Sequence, residues 1–154
     1  MKTIVWDAHT CIPLHPDTNI AHLHRHLNSG VSYVSVNVGM DFNPLSQVLT
    51  TIASFRKQIQ SDDRLILANC TSDIEQAFQE NRLAVGFDLE GAVPLCERKE
   101  MIQLFWDLGV RQIHFAYNRN NSISSGCHDA DRGLTPLGKE MVDAIMNSKM
   151  LMDL

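Results

Sequence analysis

The chain has 154 residues, 44% of them hydrophobic and 20% charged, with a formal net charge of -5. That length supports one domain with a real core, and the composition is neither disordered nor fibrous. Few and scattered basic residues argue against a nucleic-acid partner, and no run approaches the roughly 18 apolar residues of a membrane span. The opening "MKTIVWDAH" is too short and too polar for a signal peptide, so a cytoplasmic protein is expected. Cys11, Cys70, Cys96 and Cys127 lie far apart with no CxxC pair; free thiols or single metal ligands are expected, not a disulfide framework.

Residues 3–9 read as a strand and 19–28 as an amphipathic helix. Strand 31–38 ("VSYVSVNV") follows, then helix 44–60, strand 65–69, helix 72–81, strand 83–89, helix 97–108, strand 111–117, helix 136–148 and strand 150–154. In 44–60, Leu45, Val48, Leu49, Ile52, Phe55 and Ile59 recur at the spacing of one helix face. Thr71 or Ser72 caps the third helix, and Thr135-Pro136 opens the last with proline at its first position.

Strand alternating with helix predicts parallel strands covered by helices. An open doubly wound sheet usually carries a Gly-rich turn after its first strand, which is missing here. The other solution is part of a (β/α)8 barrel, with about six strands and five helices of the eight units that need about 250 residues. The chain also stops inside the apparent strand "MLMDL". Residues 1–154 are therefore expected to be the amino-terminal part of a single barrel domain.

In parallel α/β folds sites gather at the carboxyl ends of strands. In "VWDAHTCIPLHP" the alternation predicts Asp7, His9 and Cys11 on one face of the first strand, and Asp88 and Glu90 share a face at the end of the fourth. Imidazole, thiolate and carboxylate together suit a transition metal, and zinc accepts all three. A packed His or Cys near a strand end is the other reading. His22 and His26 in "HLHRH" are one helical turn apart but lack a carboxylate or Cys partner, and read as wet imidazoles. The polar loop 118–133, with Cys127 and His128, is either a site wall or flexible surface. Met101, Met141, Met146, Met150 and Met152 read as core filling.

"FDLEGAVPL", "LFWDLGVRQIHFAYNRNNSI" and "RGLTPLGKEMVDAIMNSKMLMDL", with "DAHTCIP" before them, resemble the renal (membrane) dipeptidase family of zinc metallopeptidases, its bacterial relatives in particular. The resemblance implies an amidohydrolase-type barrel that hydrolyses dipeptides at two bridged zinc ions. It makes His9 a first-strand metal ligand and Glu90 the carboxylate bridging both ions. Cys11 stands where the family usually has an Asp ligand, and Tyr117 where the best-known members have a His that helps hold substrate. Asn120 lies in the family's N-x-N loop, and a substrate contact is expected there; no catalytic residue is assigned. The family's two histidine ligands from later strands fall beyond Leu154, so this chain alone is expected to be inactive and prone to associate, with a homodimer in keeping with the family. Two other readings stand beside this one: a divergent amidohydrolase acting on another small amide, and a non-catalytic binding module.

Overall fold

Strands and helices alternate through residues 3–154, the part of the chain that the computed structural model describes. Strands are β1 (Trp6–Thr10), β2 (Tyr33–Met40), β3 (Leu65–Leu67), β4 (Leu83–Glu90), β5 (Val110–His114) and β6 (Leu151–Asp153). Helices are α1 (His24–Asn28), α2 (Leu45–Gln60), α3 (Thr71–Gln79), α4 (Glu100–Asp107) and α5 (Pro136–Ser148), with 3-10 turns at Ile20–Leu23 and Val93–Leu95.

All the strand pairings are parallel and run in the order β1-β2-β4-β5-β6. The result is a curled half-barrel. β3 is a spur: it pairs with the first half of β4 (Leu65↔Leu83 to Leu67↔Val85), and β5 takes over the same edge from Phe87↔Val110. The strand expected over 65–69 thus shortens to three residues and lies outside the main strand succession. Among the described residues β1 and β6 each keep one unpaired edge, and Trp6 and Leu151 stand about half exposed there.

Periodicity explains the core. Val34, Val36 and Val38 of β2 and Val85, Phe87 and Leu89 of β4 point outward under the helices. Against them pack Val48, Ile52, Phe55 and Ile59 of α2, Ile102 and Phe105 of α4, and Met141 and Ile145 of α5. Each such side chain contributes about 1.5–3 kcal/mol on burial. The α2 face is the one its spacing predicts. Thr135 accepts the Gly138 N–H at 3.0 Å with Pro136 behind it, as expected. The third helix differs: its cap position falls on Cys70, and the Asp73 carboxylate accepts the N–H groups of Asn69 (2.7 Å) and Cys70 (3.1 Å).

The inner face is polar. Tyr33, Ser35 and Asn37 of β2, Asp88 of β4 and Gln112 of β5 are all buried there. Gly86 sits where any side chain would overlap the Tyr33 hydroxyl, so glycine lets a large ring cross the interior. Among the described residues no helix is long and apolar enough to cross a membrane.

Candidate metal-binding active site

β1 does not run as a regular strand. Its register against β2 shifts between Asp7↔Val34 and Thr10↔Val36, which is a bulge at Ala8 and His9. The bulge corrects the expectation that Asp7, His9 and Cys11 share a face. Asp7 pairs beside outward-facing Val34, and its carboxylate meets His26 Nε2 at 3.5 Å and the His9 N–H at 3.4 Å. His9 and Cys11 alone turn inward.

There they meet β4. His9 Nδ1 lies 3.1 Å from Asp88 Oδ1, and Cys11 Sγ lies 3.4 Å from His9 Nε2. Asn37 Nδ2 donates to Glu90 Oε2 at 2.8 Å, and Ser35 Oγ donates to Asp88 Oδ2 at 2.7 Å. One donor atom each from His9, Cys11 and Glu90 lies within 4.8 Å of the others. They line a cavity of about 550 Å³ with Met40, Asp88, Gln112, His114, Tyr117 and Asp153.

The charges are mutually constrained. The hydrogen bond to Asp88 raises the His9 pKa above its ordinary value, against the opposing effect of burial. Partial burial pushes the Cys11 thiol up, and the Glu90 charge adds to that. Burial likewise raises Glu90, with Asp88 repelling its charge. His9, Cys11 and Glu90 thus each hold a proton more tightly than the same group does in water.

The donor set fits a zinc-type ion. Donors around a tetrahedral zinc with bonds of about 2.0–2.3 Å stand about 3.3–3.8 Å apart, and the three donors here lie within 4.8 Å of one another. His22 and His26 are not in this set, and His26 departs from the wet imidazole expected of it: its side chain is 16% exposed, with Nε2 against Asp7.

Tyr117 lines the same cavity, three residues past the end of β5 and about half exposed. Asn120 lines a neighbouring cavity of about 310 Å³, with its amide engaged inside its own loop: Nδ2 donates to Ala130 O at 3.1 Å and Oδ1 accepts the Gly126 N–H at 2.9 Å. The loop is ordered by such bonds, with Asp129 bound to Arg119 at 2.8 Å and to the Asn120 N–H at 2.7 Å. Cys127 and His128 are exposed and do not line the metal cavity.

Sequence reasoning left Asn37, His114 and Asp153 out of the site and gave Asp88 no role. The missed signal is a polar residue at every second position of an apolar strand: Ser35 and Asn37 in β2, Gln112 and His114 in β5. The parallel register stacks these into layers, Asp88↔Gln112 and Glu90↔His114↔Asp153.

A curled parallel sheet with such residues at the carboxyl ends of its strands is part of a (β/α)8-type barrel. The chain belongs to the membrane dipeptidase family (peptidase family M19), whose profile matches residues 6–154. It is 31% identical over 93 residues to the uncharacterized protein in the PQQ-III 3' region of Acinetobacter calcoaceticus, covering 54% of this chain and 30% of that protein. It is 30% identical over 95 residues to the dipeptidase tcpJ of Claviceps purpurea, covering 60% of this chain and 22% of that protein. An amidohydrolase of Pseudomonas aeruginosa superposes with a TM-score of 0.87 at 22% identity, over 98% of this chain and 45% of that one. A metallo peptidase of Rhodobacter sphaeroides, liganded with a phosphinate mimic of the dipeptide L-Ala-D-Ala, superposes with a TM-score of 0.83 at 14% identity, over 100% of this chain and 59% of that one. The chain thus spans less than two thirds of each of these relatives, from 22% to 59%.

Proposed function

We propose that the protein carrying this chain is a metal-dependent dipeptidase, and that these residues form the β1 and β4 side of its metal site. His9 through Nε2, Cys11 through Sγ and Glu90 would hold zinc, with Glu90 bridging two ions in the complete site. Bound there, zinc would supply an acidified water and polarise the scissile carbonyl. The rest of the work belongs to the side chains. The Asn37 hydrogen bond takes one lone pair of Glu90 Oε2 and holds the carboxylate in place, which leaves a lone pair on each oxygen for metal. The Tyr117 hydroxyl, at the cavity mouth, donates a hydrogen bond to a dipeptide oxygen. Asn120 serves substrate binding by holding the loop that carries Tyr117.

The observation that carries this reading is the meeting of three donor atoms, from two different strands, in one cavity at the carboxyl ends of those strands. The test is dipeptide hydrolysis by the native polypeptide purified from its source, after chelation and after return of zinc. Loss and recovery of turnover is the expected result; full turnover by metal-free protein overturns the reading. Free Cys11, Cys70, Cys96 and Cys127 accord with a reducing, cytoplasmic setting. A homodimer belongs to the same reading and is checked by sedimentation of the native protein.

Cys11 supports a second reading, in which the substrate is another small amide. A thiolate changes the charge and acidity around bound water relative to a carboxylate. A gain in dipeptide turnover on Cys11→Asp points to the first reading. Unchanged dipeptide turnover with hydrolysis of cyclic or N-acyl amides points to the second.

A further inference from the structure

Asp88 is the most buried carboxylate around the cavity, with its side chain 3% exposed, and no Lys or Arg pairs with it among the described residues. Burying a carboxylate without a cationic partner is expensive unless its oxygens are satisfied by specific donors. Both oxygens are. Ser35 Oγ donates to Oδ2 at 2.7 Å, and His9 Nδ1 lies 3.1 Å from Oδ1. β4 carries Asp88 two residues before Glu90, so both carboxylates face the interior, while the β1 bulge turns His9 toward them. The two nitrogens of the His9 ring are thereby divided: Nδ1 faces Asp88, and Nε2 faces Cys11 and the cavity.

We propose that Asp88, braced by Ser35, is a positioning residue that keeps the His9 proton on Nδ1 and so presents the Nε2 lone pair to the metal. The inference rests on the metal-site reading above. A carboxylate behind a ligating imidazole fixes its tautomer and ring plane and raises its basicity as a ligand. Asp88 performs this from a different strand than the one that carries His9, so the ring is gripped between β1 and β4. Ser35 gives the grip its rigidity, since a carboxylate bonded through only one oxygen could rotate away.

The experiment uses the native polypeptide with 15N-labelled histidine, in wild-type form and as Asp88→Asn, Asp88→Leu and Ser35→Ala. Zinc affinity is measured by competition with a chromogenic chelator, the protonated ring nitrogen of His9 by long-range 15N–1H spectra, and folding by circular dichroism. Asp88→Leu is expected to weaken zinc binding about 10–100-fold. Asp88→Asn keeps an acceptor for Nδ1–H and is expected to lose less than about tenfold, and Ser35→Ala a few-fold. Zinc-loaded wild type is expected to carry its His9 proton on Nδ1. If Asp88→Leu fails to fold, Ser35→Ala and the wild-type spectrum carry the test. Wild-type affinity in a folded Asp88→Leu or Ser35→Ala protein, or a proton on Nε2 in the loaded wild type, overturns the inference and leaves the metal site standing. Wild type that binds no zinc overturns both.

Discussion

The amide of Asn37 is held at both ends: Gly39 N–H donates to Oδ1 at 2.8 Å, and Nδ2 donates to Glu90 Oε2 at 2.8 Å. The first bond decides the second. Because the carbonyl end of the amide is taken by a backbone donor, the NH2 end must face β4, and Glu90 meets a donor rather than a competing acceptor. Asn37 is fully buried, so no water can replace either bond.

Asn37→Ala leaves the Gly39 N–H and one Glu90 oxygen without their partners. A loss of about 1–3 kcal/mol in unfolding free energy is expected, measured by urea denaturation. Asn37→Asp keeps the acceptor for Gly39 but sets a second carboxylate against Glu90. That variant should be weaker than wild type at pH 7 and recover toward it at pH 5, where one proton can be shared. A pH-independent deficit would refute this account of the pair.

Tyr33 titrates late. Its ring is buried against Trp6, with ring centroids 4.0 Å apart, and desolvation pushes its pKa from 10.0 up to about 12, with the Asp88 charge adding to the effect. The folded state therefore holds this proton more tightly than the unfolded state does. The stabilisation is fully present below pH 10 and is lost as pH rises through about 12, by about 2–3 kcal/mol in total. Unfolding curves at rising alkaline pH should decline across that window for wild type. Tyr33→Phe should flatten the decline, and an equally steep decline in Tyr33→Phe would count against it.

In the proposed site zinc affinity should rise with pH, because a metal held by Cys11 displaces the thiol proton, which burial and Glu90 push upward. Cys11→Asp replaces that thiol with a group already ionised near neutrality. Between pH 6 and 8 the variant is expected to show a much shallower pH dependence of zinc binding than wild type, measured by chelator competition. Cys11→Ala should lose at least about tenfold in affinity, since a donor is removed outright. Equal slopes for Cys11→Asp and wild type would exclude Cys11 as a ligand.

Gly91 follows Glu90 directly with φ at +135°, and an added side chain would overlap the carboxylate of Asp41. That carboxylate accepts the Val93 N–H at 3.0 Å and Asn121 Nδ2 at 3.0 Å, tying the β4 and β5 loops together. Gly91→Ala should cost about 1–3 kcal/mol in stability. Adding Asp41→Ala relieves only the overlap, so the double variant should stay below Asp41→Ala alone in a thermal melt.

Much of the fold was legible because its code is local. α2 was marked by apolar residues at three- and four-residue spacing, and α5 by Thr135-Pro136, and both signals act within one turn of helix. β2 and β4 were marked by apolar runs bounded by polar segments. β3 was overestimated because "LILAN" is apolar throughout, while its pairing ends once β5 occupies the same edge of β4. The cap of α3 was misplaced by one or two residues because Asp73 binds backward to Asn69 and Cys70, a choice between neighbouring acceptors that composition does not rank.

The site divides along the same line. Residue order is enough to set the alternation of parallel strands and helices, the apolar faces that join them, and the presence of His9, Cys11 and Glu90 at strand ends. The departure of Asp7 from that group comes from the packed sheet, because a bulge is a mismatch between two strands and belongs to neither alone. The same packing joins Asp88 to His9 across 79 positions and Asn37 to Glu90 across 53. Such contacts depend on strand register, and register is settled by burying the valines of β2 and β4 under their helices, a global packing energy that no short stretch of the chain contains.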